Sequence, residues 1–279
     1  MQITEADQAM DYAAGNIRVG NMKSKLLLQG KQGALNNYRV ALTTVEDSWD
    51  APRHRHNFDQ IRFPINDAWI YGKEEKLPAG WVGYFPEGVY YGPQHRTPGL
   101  KMLVCQFGGA SGSGFVGRDE RKRGFDELSA KGTFEKGTFT YIDAGGKRHR
   151  KDAYEAVWEH LNGRELEYPT PRYNDVIMMN PASYSWVDDK QAKGVSRKWL
   201  GTFTERRLQV GFLRMERGAT LKGGTHNTPE LFFLHKGVIT HGGKTYRSYA
   251  AAAFDPGEGP VTVEAEETSE LLCLRMHKF

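Results

Sequence analysis

Residues 52–63 read Pro52-Arg53-His54-Arg55-His56-Asn57-Phe58-Asp59-Gln60-Ile61-Arg62-Phe63. On a β-strand, side chains alternate between the two faces, so His54, His56, Gln60 and Arg62 share one side while Arg55, Asn57 and Asp59 take the other. Two imidazoles one step apart on one face can grip a single ion. A second row of side chains follows on Trp81-Val82-Gly83-Tyr84-Phe85-Pro86-Glu87-Gly88-Val89-Tyr90-Tyr91-Gly92-Pro93-Gln94, where Pro86-Glu87-Gly88 is a turn that ends one strand and starts the next.

The pattern spreads outward as strand, turn, strand. Lys25–Leu28 and Tyr38–Val45 precede the histidines, and Ala68–Tyr71, Gly80–Phe85 and Leu100–Phe107 follow. Alternation with turn-rich spacing predicts an all-β barrel or sandwich. Residues 1–20 read as a short helix or arm around Ala9-Met10-Asp11-Tyr12-Ala13-Ala14. After the glycine-rich seam 108–114, read as flexible, the texture changes. A charged helix over 118–131 carries Phe125 and Leu128. In a second helix Tyr154, Val157, Trp158 and Leu161 fall at i, i+3, i+4 and i+7, stopped by Gly163. Such a stripe is the packing face of a helix lying on a barrel. Strands return from about Tyr173: 175–179, 208–215, 230–234 and 270–276.

The chain has 279 residues, of which 39% are hydrophobic and 26% charged, an ordinary globular composition long enough for two cores. Its 38 basic and 34 acidic residues leave a net charge of +4, too weak a field to indicate nucleic acid. The basic run Lys147-Arg148-His149-Arg150-Lys151 lacks interleaved aromatics and reads as a solvated turn before a helix. Cys105 and Cys273 lie in apolar runs and read as small buried hydrophobes of a reduced protein. With no signal-peptide pattern and no apolar stretch of ~18 residues, no membrane is implied and the expected location is cytoplasmic.

An internal repeat is also visible. Adding 170 to the numbers of the first half places His56-Asn57 on His226-Asn227, Gln60 on Glu230, Gly72 on Gly242, Pro86 on Pro256 and Leu103 on Cys273, with no gap. One offset persisting across strand-turn-strand features predicts two copies of one β-fold.

These residues resemble the cupin superfamily, and the duplication resembles a bicupin. The family's first motif, His-x-His, then Glu and later Gly, matches His54, His56 and Gly72, with Gln60 in the place of Glu. Its second motif matches Gly80 and Pro86-Glu87-Gly88, with Tyr91 in the place of the last His. The resemblance covers 24–107 well and 195–276 weakly. It implies two jelly-roll barrels with a small helical insert: an N-terminal barrel over 1–112, an insert over 113–172 and a degenerate C-terminal barrel over 173–279.

It further implies one divalent metal (Fe, Mn, Ni or Zn) in the first barrel, with His54, His56, Gln60 and Tyr91 at the ligand positions. A neutral amide is a poorer donor than a carboxylate, and a phenol of pKa ~10 must lose its proton to bind strongly. His95, or Asp59 turned inward by a bulge, could complete the set, and Gln94 lies in the neighbourhood of the family's Asn. In the second copy Gly224 stands for His54 and Val261 for Tyr91, leaving His226 and Glu230, too few ligands for a metal. The implied activity is a small-molecule oxygenase or isomerase in which Gln60 and Tyr91 orient substrate and Arg62 pairs an anionic group. The alternative is a metal-free barrel that binds a sugar or organic acid without catalysis. The implied partners are a small molecule and, by family analogy, a second copy in a homodimer.

Overall fold

The computed structural model describes residues 1–11 and 19–279. Among these residues the strands form four antiparallel sheets. The largest has ten strands and curls into a nearly closed barrel around the first-half motifs, with Phe58–Pro64 between Val82–Phe85 and Lys101–Gly108. Tyr38–Ala51 is its spine. The first part of that strand pairs with Lys101–Gly108, and its last three residues pair with Gln94–Arg96. In the second half a seven-stranded sheet faces a four-stranded one.

Alternation decides what each strand shows to each side. From Lys101–Gly108, Leu103, Cys105 and Phe107 enter a core shared with the second half, whereas Met102 and Val104 enter the interior of the first. Ile61 and Phe63 likewise join the shared core, leaving Gln60 and Arg62 inside. Phe203, Phe212 and Leu272 meet these residues from the other side, with ring centroids 4.7 Å apart for Tyr84 and Phe203 and 5.7 Å for Phe63 and Phe212. Cys105 and Cys273 are free and buried, as expected.

The repeat is visible in strand register, with one correction. Trp69 pairs with Leu77 and Ile239 with Tyr246, so the offset is 170 on one strand of this hairpin and 169 on the other. The turn of the second copy is one residue shorter. Beyond it 169 holds: Gln60 faces Phe85 as Glu230 faces Phe254, and Phe63 faces Leu103 as Phe233 faces Leu272. Leu103 therefore corresponds to Leu272 and not to Cys273. Because a one-residue slip exchanges the faces of a strand, this correction puts Cys273 in the interior core of the second half. The bond from Tyr91 N to His54 O recurs as one from Gly259 N to Gly224 O, so Gly259, and not Val261, is the counterpart of Tyr91.

Between the halves, helix α1 (Arg118–Ser129) and helix α2 (Ala153–Asn162) form where expected. Asp152 caps α2, accepting from Tyr154 N at 2.8 Å, and Gly163 closes it in the left-handed region at φ 64°. The insert is not only helical. Gly132–Glu135, Thr138–Ile142 and Arg148–Asp152 form a small sheet, so the basic run is an outer strand and not a turn. Its alternate charged residues can be solvated on an edge strand, which removes the objection to β structure there.

The seam 108–114 is not loose. A Cβ on Gly108 would lie 2.1 Å from Leu35 O, and one on Gly109 2.1 Å from Glu87 Oε2, so these glycines permit close packing. Ser111 and Ser113 then fasten the segment to Glu87 and to Asn57 O. The N-terminal arm is extended where described: Gln2–Thr4 pairs with Ala251–Ala253, and Met10–Asp11 with Lys25–Leu26. Tyr12, Ala13 and Ala14 lie outside the described residues. Among the described residues no helix is long and apolar enough to cross a membrane.

Candidate functional site

The regular strand begins at Phe58, later than the histidine stretch predicts. His54 is nonetheless fixed, because its N–H and C=O both pair with Tyr91 at 3.0 Å. The expected grouping survives the irregularity. His54, His56, Arg62 and Tyr91 border one cavity of about 110 Å³ inside the first-half barrel. The imidazole centroids of His54 and His56 are 4.9 Å apart, and Tyr91 lies 4.7 Å from His54.

Gln60 does not itself border the cavity but bonds to three residues that do. Its Nε2 donates to Tyr91 Oη at 2.8 Å, while its Oε1 accepts from Gln106 Nε2 at 2.9 Å and from Arg62. His54 Nδ1 lies 2.6 Å from Pro52 O, so it carries the proton and Nε2 is left as an acceptor toward Gln94 Nε2 at 3.3 Å. From the insert, α2 presents Tyr154 edge-on to His56 and donates its hydroxyl to Asn57 Oδ1 at 2.8 Å. Arg121 of α1 also borders the cavity.

Several cavity residues were not anticipated. Arg39 and Gln106 sit at inward positions of otherwise apolar strands and bond to one another. Arg96 is 2% exposed, stacked over Trp49 at 4.2 Å and over Trp69 at 5.3 Å. The available signal was a lone arginine or glutamine recurring at the inward parity of a hydrophobic strand. Burial pushes the guanidinium pKa of Arg39 down to about 10, and it lowers Arg96 further, helped by the nearby Arg62 charge. Guanidinium does not give up its proton in proteins, so these directions measure positive charge held out of water.

Two suggested extra ligands are elsewhere. His95 is on the outer face of Gln94–Arg96, its Nδ1 2.8 Å from Asp50 Oδ1, because the strand begins anew at Gln94 and exchanges the parity counted from Tyr91. Asp59 needs no bulge: it faces away from the cavity, accepting from Tyr84 Oη at 2.9 Å and from Glu87 N at 2.8 Å. His277 Nε2 approaches it at 3.3 Å. Burial, with the Glu87 charge, pushes Asp59 up to about 8, and burial lowers His277 to about 4.

The donor set does not fit a divalent cation. Among the described residues no three of His, Cys, Asp and Glu converge on one point. Gln60 Oε1 is already occupied by two donors, and arginines surround the imidazoles where a cation would need carboxylates.

No family model and no curated protein matches the sequence. Solved structures do match the fold. A dioxygenase candidate from Nostoc punctiforme superposes with a TM-score of 0.64 at 14% identity, over 99% of this chain and 82% of the other. A serine-to-alanine mutant of Bacillus subtilis oxalate decarboxylase superposes with a TM-score of 0.55 at 12% identity, over 100% of this chain and 78% of the other. Another structure of that decarboxylase, with a TM-score of 0.54 at 11% identity over 100% of this chain and 78% of the other, is described by its Mn(II) centres. These superpositions, all at 14% identity or below, show that the chain shares the fold of these proteins.

Proposed function

We propose that this chain is a duplicated cupin of two barrels, spanning 1–112 and 173–279 around the insert. Its first barrel binds a sugar or organic acid without a resident metal. The observation that supports this most is the convergence of His54, His56, Arg62 and Tyr91 on one interior cavity, with Gln60 bonded to arginine and amide donors. Such a wall offers donors, one imidazole acceptor and aromatic faces, which is a binding surface. His226 and Glu230 of the second barrel carry no metal in this reading, and that barrel is structural.

A metal-dependent oxygenase or isomerase is the second reading. It is favoured by His54 alone, whose Nδ1–H donation to a backbone carbonyl is the arrangement that orients metal-ligating imidazoles.

Metal analysis and a thermal-shift panel together test the proposal. After purification and reconstitution with Fe(II), Mn(II), Ni(II) or Zn(II), the protein is expected to retain less than about a tenth of an equivalent. At least one sugar or organic acid is expected to stabilise the wild type but not Val104→Phe, which reduces the cavity. A full equivalent of metal that is lost in the His54→Ala, His56→Ala double variant establishes the second reading instead. A panel with no stabilising compound removes the binding site.

A further inference from the structure

Resting on the reading of this cavity as a binding site, a narrower conclusion follows from its charge. Among the described residues that border it, four are arginines (Arg39, Arg62, Arg96 and Arg121) and none is Asp or Glu. Arg62 and Arg96 are 5% and 2% exposed. Their Nε atoms have no hydrogen-bond partner, and among the described residues no carboxylate pairs with either side chain. Both stack on the same indole, with Cζ 5.4 Å and 5.3 Å from the Trp69 centroid, so the two like charges are neighbours. Cation–π contact offsets only part of the desolvation cost of a buried charge.

The second half shows how the same fold solves this internally. Arg39, Gln106 and Gln60 are cross-strand neighbours, and so are Gln209, Arg275 and Glu230. In the second set Arg275 donates to Gln209 Oε1 and Glu230 Oε1, each at 3.3 Å, and the cation has its own anion. In the first set the position of Glu230 belongs to Gln60, a neutral amide.

Size limits the ligand. An apolar cavity of ~150 Å³ holds benzene, so about 110 Å³ suits roughly four to seven non-hydrogen atoms, which narrows the sugars and organic acids of the broader reading to those smaller than a hexose. We propose that the ligand is a compact anion bearing two negative charges, a short dicarboxylate or inorganic phosphate, paired by Arg62 and Arg96. Gln94 Oε1, buried without a partner, is placed to accept from a hydroxyl or protonated oxygen of the same ligand.

Calorimetric titration of the full chain in low-salt buffer at neutral pH tests this with four probes: malonate, inorganic phosphate, acetate and malonamide. Malonamide keeps the malonate skeleton without its charge. The expected result is binding of malonate or phosphate at least about tenfold tighter than acetate, no binding of malonamide, and a loss of about tenfold or more in Arg96→Met. Whichever dianion binds more tightly identifies the source of the charge. Malonamide binding as tightly as malonate overturns the dianion while leaving a cavity that binds small molecules. Failure of all four probes overturns it as well, and the sugar and organic-acid panel then decides the broader reading separately. If Arg96→Met does not fold, the wild-type ratios decide alone.

Discussion

Gln106 donates to Gln60 across adjacent strands at 2.9 Å, and both side chains are buried. Replacing Gln60 by Glu keeps the shape and every bond, because a carboxylate accepts from Arg62 and Gln106 and Tyr91 can turn to donate. It also places an anion beside the arginines, as Glu230 does in the second half. Gln60→Glu is expected to fold with a melting temperature within a few degrees of the wild type and to weaken malonate by about tenfold or more. Calorimetry alongside thermal melting checks both.

His54→Ala separates side chain from scaffold. The bridge to Tyr91 uses only backbone atoms and persists, so the expected loss is about 1–2 kcal/mol, from the ring contacts with His56 and Tyr91 and the side-chain bonds to Pro52 O and Gln94. Urea unfolding measures it. Ligand affinity should fall further than this stability loss explains.

Gly108→Ala tests whether the seam is packed. The added Cβ meets a backbone carbonyl, Leu35 O, which cannot rotate away, and a destabilisation of about 1–3 kcal/mol is expected in urea. Gly146→Ala is a control for strain alone, since its added Cβ meets nothing within 4 Å although its φ is +80°.

Asp59 and His277 set a pH dependence. His277 Nδ1 donates to Gly108 O at 3.0 Å, leaving a lone pair on Nε2 toward Asp59, which a protonated carboxyl satisfies. Asp59 is raised to about 8, so the folded state holds more protons than the unfolded state from about pH 4 to 8, and stability falls as pH rises. His277 is lowered to about 4, so the folded state holds fewer protons from about pH 4 to 6.5, and stability rises there. The two slopes cancel below about pH 6.5, leaving a decline of at most about 1.4 kcal/mol per pH unit from there to about pH 8. Denaturant midpoints across that window should show this decline in the wild type and a flatter profile in Asp59→Asn.

Much of this arrangement was legible in the chain. Alternation along residues 58–64 placed Gln60 and Arg62 inside and Asp59 outside, since a strand with one buried face has no other register. The stripe of Tyr154, Val157 and Trp158 gave α2 its packing face. The failures have physical causes. A hairpin turn shorter by one residue is silent in a gapless comparison, yet it reverses the faces of every later strand. Counting parity from Tyr91 to His95 assumed a continuous strand through Gly92 and Pro93. Arg39 and Arg96 were passed over because a charged residue in an apolar run is read as an outward one, when here the outward face is the shared core and the wet face lies inside.

The pairings at the two sheet edges carry a last consequence. Gln2–Thr4, from the start of the chain, hydrogen-bonds to Ala251–Ala253 near its end, while Ile177–Met179, which follows the insert, hydrogen-bonds to Val82–Tyr84 ahead of it. Each half thus borrows its border strand from the opposite side of the polypeptide. Severing the chain at the insert would strip a border strand from each fragment and leave both with bare, adhesive rims that invite self-association. The two halves therefore depend on one another: they should be soluble when produced together and should precipitate when produced apart.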